Sequence, residues 1–194
     1  MITSTRRSTR GSTVFTLGPE GTDAEAEATR LFDRVALRST FPEAMAAARS
    51  SGGLALIAAG FLAASGGGQV DDTWADLHFR TIDDMAVVDV WCSPTKPMGL
   101  GLHRSCPSIA EVRSVALYPA TRALAASVVP EAEVLPVRSK PEGVVLASTG
   151  SVDACIGSVD MLDGREELSV AMIWQPSMIW ILYAPVATSA GTGA

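Results

Sequence analysis

The chain has 194 residues, 47% hydrophobic and 19% charged, with a formal net charge of -6. That length suits one domain or two small lobes with a substantial core, and the acidic balance excludes a general nucleic-acid surface, which needs a basic face. No stretch reaches the roughly 18 apolar residues of a membrane helix, and Cys92, Cys106 and Cys155 lack metal-ligand spacing and are odd in number, which excludes a disulfide framework and leaves free thiols.

Residues 1–12 carry Arg6, Arg7 and Arg10 with no apolar run behind them, so they read as a disordered tail and not a secretory leader. Val14, Phe15 and Leu17 form a short buried strand, and Gly18-Pro19-Glu20-Gly21 turns the chain. Thr22 followed by Glu25 is a capping box, and Ala24, Ala26 and Ala28 favour the helix that Leu31 and Phe32 anchor. The unpaired N–H groups of such a helix start can hold a carboxylate or phosphate. The same residues also make an ordinary capped turn. Residues 35–37 are a strand. A helix begins at Phe41, capped by Thr40, and Ser50-Ser51-Gly52-Gly53 ends it. Leu54–Ala58 is a continuous apolar run, as expected of a parallel strand covered on both faces.

Residues 59–69 turn from apolar to glycine-rich, with Ser65-Gly66-Gly67-Gly68 as a loop. Residues 73–79 alternate and predict a strand, and 85–92 a clearer one. Met98–His103 is extended. Then come a short helix after Ser108, a strand at 115–118 and a helix at 119–128. A strand at 132–136 precedes a helix at 141–147, which Ser139 or Lys140 opens. Strands at 154–156, Leu168–Trp174 and 178–183 follow, and 187–194 is a frayed tail. The α/β rhythm occurs twice. Periodicity alone leaves one open sheet and two lobes equally open. His78 and His103 lack triad partners, and no dinucleotide or phosphate-loop motif is present.

Gly18-Pro19-Glu20-Gly21-Thr22 after an apolar strand resembles the opening loop of prephenate dehydratases, G-P-x-G-T. Leu117-Tyr118-Pro119-Ala120 stands where that family carries Ser-His-Pro-Gln, with Tyr118 in place of the His. Val137-Arg138-Ser139-Lys140 stands where it has a Ser-Thr pair, and residues 151–158 are similar to its G-x-A-D-A-A-I-A stretch. Two segments depart. Ala58-Ala59-Gly60-Phe61-Leu62 replaces Pro-x-Glu-Asn-Ser, and Ser177-Met178-Ile179-Trp180 lacks the Arg of a Thr-Arg-Phe triplet. The latter resembles the Pro-Met-Ser-Trp-Ser-Leu-Phe ending of the non-aromatising prephenate decarboxylases of bacilysin biosynthesis.

The resemblance implies an α/β, two-lobed type-2 periplasmic-binding-protein-like fold with a cleft between lobes. Residues 13–94 and 159–186 would form one lobe and 95–158 the other. It implies a cytoplasmic, homodimeric lyase that removes carbon dioxide from prephenate or a related cyclohexadiene acid without aromatising it. The substrate is a small anion; no cofactor, metal, nucleic acid or membrane is called for. Glu20, Thr22, Phe61, Met178 and Trp180 would bind substrate from one lobe. Tyr118, Arg138, Ser139, Lys140 and Ser177 would complete the set. The alternatives are a cyclase, dehydratase or isomerase acting on a larger, less polar acid, and a binding protein without chemistry.

Overall fold

A computed structural model describes residues 11–65 and 69–186. The expected tail at 187–194, most of the tail at 1–12 and most of the glycine loop at 65–68 lie outside the described residues. In chain order the elements open with β1 (Val14–Leu17), α1 (Asp23–Leu31), β2 (Val35–Arg38), α2 (Phe41–Ser51) and β3 (Leu54–Ala58). Next come β4 (Leu62–Ala64), β5 (Val70–Thr73), α3 (Trp74–Thr81), β6 (Met85–Pro94) and β7 (Met98–His103). β8 (Ser114–Leu117), α4 (Arg122–Ala126), β9 (Glu133–Pro136) and α5 (Lys140–Ser148) follow. The described chain ends through β10 (Ala154–Ser158), α6 (Val159–Asp163), β11 (Leu168–Trp174) and β12 (Ser177–Pro185).

The chain divides into two compact units. The first takes its described residues from Met1–Phe61, Thr73–Ser93 and Met178–Ala194. Its sheet has the order β2-β1-β3-β12-β6. β1 lies parallel to both β2 and β3, and β12 runs antiparallel to β3 with Trp180 opposite Ala58 and Tyr183 opposite Ala55. Every residue of β3 is buried, as its unbroken apolar run requires. Right-handed crossovers from β1 to β2 and back to β3 put α1 and α2 on opposite faces. Residues 73–79, expected as a strand, are instead the start of α3: Thr73 accepts the Asp76 N–H at 3.2 Å, and the cap nucleates a helix that the short apolar alternation had masked.

The second unit comprises Leu62–Asp72 and Pro94–Ser177. Its sheet has the order β11-β7-β10-β8-β9, and β4 pairs with β5 apart from it. Apolar side chains pack both faces of the sheet: Leu100, Val115, Leu117 and Ile156 on one, Ala116, Val144, Cys155 and Leu162 on the other. The expected lobe boundaries therefore shift, because 62–72 and 159–177 group with this unit. β11 is held there by its antiparallel ladder to β7, and α6 by Leu162, whose methyls fill the space left by Gly99, Gly101 and Gly157.

Candidate functional site at the carboxyl edge of the first sheet

In open α/β sheets, ligands bind outside the carboxyl ends of parallel strands. At that edge of the first sheet β1 leads into the Gly18–Thr22 turn and β3 into residues 59–61, and β12 enters beside β3. Gly21 has φ +86°, which only glycine adopts cheaply. The half-buried Thr22 caps α1. Its hydroxyl donates to the Leu17 carbonyl at 3.0 Å and accepts the Glu25 N–H at 3.1 Å. The Glu25 carboxylate in turn accepts the Gly21 N–H at 3.4 Å and the Thr29 hydroxyl at 3.0 Å. Glu20 is exposed at the tip of the turn. The hydroxyl and turn amide that the sequence offered to an anion are thus bonded within the turn.

The same device recurs among the described residues. Thr40 accepts the Glu43 N–H at 3.2 Å while Glu43 takes the Ser39 N–H at 3.2 Å. Ser139 accepts the Glu142 N–H at 3.4 Å while Glu142 takes the Arg138 N–H at 2.9 Å. In each case a Ser or Thr caps the helix and a Glu three residues on reaches back to the residue before the cap. The helix end, with its partial positive charge, is answered by the chain's own carboxylate.

Behind the turn the edge is apolar. Phe61 packs edge-on against Phe41 at 5.3 Å between centroids. Met178 is half-buried, and a methyl placed on Gly60 would stand 3.1 Å from its Cε. Trp180 is 2% exposed and its Nε1 has no hydrogen-bond partner. Tyr183, three residues on, points to the opposite face. There it accepts the Trp74 N–H at 2.9 Å and stands 3.1 Å from His78 Nδ1, both on α3. An indole N–H can only donate, so Tyr183 is the acceptor from Trp74, while the direction of its contact with His78 Nδ1 is set by the imidazole tautomer. α2 and α3 flank one groove, lined by Met45, Arg49, Leu77 and Arg80, and so share that face. Trp180 accordingly lies on the α1 face.

Sequence reasoning missed Glu27. It is 6% exposed on α1 and accepts the Trp91 indole N–H at 2.5 Å and Arg30 Nη2 at 2.6 Å. Burial pushes its carboxyl up, but the bonds from Arg30 and Trp91 outweigh that and hold it below the usual carboxylate value. The signal was its helical spacing with buried Ala24, Ala28 and Leu31. Arg38, the last residue of β2, was also missed. Its guanidinium lies 4.8 Å from the Phe15 ring centroid and donates to the Leu37 carbonyl.

In the second unit Tyr118 follows β8 and Arg138 follows β9, two parallel strands, so both sit at the carboxyl edge of that sheet. The Tyr118 hydroxyl donates to the Leu62 carbonyl, and burial pushes its phenol above the usual value. Arg138 is 82% exposed and stands 3.6 Å from Glu142. Ser139 is the cap of α5, Lys140 is half-buried in its first turn, and Ser177 is exposed at the start of β12. The structure thus gathers Glu20, Thr22, Phe61, Met178 and Trp180 at the carboxyl edge of the first sheet, and Tyr118, Arg138, Ser139 and Lys140 at that of the second. Among the described residues no three His, Cys, Asp or Glu side chains come together as a metal site.

Solved structures share this fold. A prephenate dehydratase of Arthrobacter aurescens, solved in complex with L-Phe, superposes with a TM-score of 0.58 at 14% identity over 89% of this chain. The fold is that of the prephenate dehydratases and of periplasmic-binding-protein domains. A second prephenate dehydratase, from Staphylococcus aureus, gives 0.54 at 10% identity over 89% of the chain and 66% of its own. The periplasmic VFT2 domain of Bordetella pertussis BvgS gives 0.56 at 13% over 95% of the chain and 86% of its own. The prephenate dehydratase-like fold here spans 59% of the length of the Arthrobacter chain. No protein-family model matches the chain, and no curated protein matches it.

Proposed function

We propose that the protein is a lyase acting on prephenate or a related cyclohexadiene acid, releasing carbon dioxide while the ring keeps its hydroxyl. The observation that carries this reading is the chemistry of β12 at the sheet edge. Met178 and Trp180 occupy it beside Ala58, Gly60 and Phe61, with no side chain in this group that can protonate a leaving hydroxyl. Aromatisation needs such a donor. Loss of carbon dioxide instead breaks the bond from the ring to the carboxylate: its electron pair moves into the ring diene, a ring carbon takes one proton from solvent, and the departing carboxylate lies where water and cations stabilise it poorly. Prephenate incubated with the protein should disappear with release of carbon dioxide and without phenylpyruvate. Phenylpyruvate as the main product would overturn the reading.

A second reading is binding without chemistry. It is favoured by the Thr22, Ser139 and Tyr118 hydroxyls, each already bonded to the protein's own backbone. Prephenate that raises the melting temperature and is recovered unchanged would select it.

A further inference from the structure

We infer that the indole N–H of Trp180 is the hydrogen-bond donor to a carboxylate of the ligand, a role that rests on the anionic-acid reading of this site. A buried donor left unpaired costs free energy, and protein interiors rarely tolerate it. The other indoles of the first unit obey that rule: Trp74 donates to Tyr183 and Trp91 to Glu27. Trp180 is as deeply buried as a core residue, yet its Nε1 has no partner. A phenylalanine would fill much the same space without that cost, so the nitrogen is explained by an acceptor that arrives with the ligand.

Its position says from where. Trp180 pairs with Ala58, the last residue of β3, and Met178 precedes it on the same face at the carboxyl edge. Met178, half-buried at that edge, lies against Gly60, and its unbranched thioether changes rotamer readily. The neighbours Ala58, Met178 and Phe61 are apolar, which suits an acid with a hydrocarbon ring. At the α1 cap the Gly21 amide and the Thr22 hydroxyl are already engaged within the turn. A neutral indole orients a carboxylate without the charge stabilisation an arginine gives, which suits a group that leaves as carbon dioxide.

The test uses the full chain with indole 15N-labelled tryptophan, titrated with prephenate and with 2,5-cyclohexadiene-1-carboxylate and its methyl ester. Trp180→Phe identifies the resonance by its disappearance. The Trp180 indole signal should move on adding either acid, those of Trp74 and Trp91 should not, and the ester should bind more weakly. Trp180→Phe should bind the acids about 10- to 100-fold more weakly. Calorimetric binding of the acids with the Trp180 signal unmoved would overturn the proposal while leaving the anionic-acid reading intact, and that result needs no variant to fold. Unchanged affinity in a folded Trp180→Phe would overturn it too. No binding of either acid would overturn both.

Discussion

The indole N–H of Trp91 donates to Oε1 of Glu27, 64 residues earlier, and so fastens α1 to the edge strand β6 through a buried carboxylate. Arg30 supplies the counter-charge from a position 54% exposed, so the Trp91 bond is the better shielded of the two. The carboxyl titrates below its unfolded value. Its stabilisation is therefore full above the unfolded glutamate pKa of about 4.3 and lost as pH falls through the lower folded value. Glu27→Gln should cost about 1–3 kcal/mol at pH 7. The gap between variant and native protein should narrow below pH 4. Melting curves taken from pH 7 to pH 3 check it; a gap of constant size would show that Glu27 contributes no proton-linked stability.

Thr22 separates capping from ligand contact. Its hydroxyl both donates to Leu17 and accepts from Glu25. Thr22→Val loses both and should cost about 1–2 kcal/mol. Thr22→Ser keeps both and should cost little. Affinity for prephenate should be unchanged in each. A selective loss of affinity in Thr22→Val, with stability intact, would return the hydroxyl to the ligand.

The first α/β unit was legible because each signal agreed with the next: capping threonines, a glycine turn and the apolar run of β3 all pointed to the same elements. The failures had physical causes. α3 reads as alternating apolar residues, and only the Thr73–Asp76 spacing betrays its cap. The expected lobe bounds come from the resemblance, and 159–177 group instead with the second unit because β11 pairs with β7 and Leu162 packs against Gly99 and Gly101. Thr22 and Ser139 were recognised as helix entrances, but the sequence does not reveal that Glu25 and Glu142 fold back to close the amides before them. Trp180 was named for its place on β12. Its lack of a partner is a three-dimensional fact that no spacing encodes.

The glycines of β7 give a packing test. A methyl on Gly101 would come within 2.6 Å of Leu162 Cδ2, and Leu162 is 1% exposed with little room to retreat. Gly101→Ala should destabilise the protein by about 1–3 kcal/mol through overpacking. Pairing it with Leu162→Val should recover part of that loss, so the two changes would not be additive. Additive melting shifts would mean that α6 packs elsewhere.

Met178→Arg tests the chemistry proposed for the apolar edge. Met178 is half-buried, with its Sδ and Cε against Gly60, so a longer side chain can swing outward and keep its charge in water. The variant should therefore fold. With the acid bound, the same flexible side chain can turn back to the edge, where its guanidinium would stabilise the carboxylate and so oppose its departure as carbon dioxide. It would also favour departure of a hydroxyl. Decarboxylation of prephenate should fall at least tenfold, about 1.4 kcal/mol in the barrier, and phenylpyruvate should rise among the products. Met178→Leu keeps the apolar edge and should retain most of the activity. Folded Met178→Arg with unaltered turnover would place the reacting acid away from this strand.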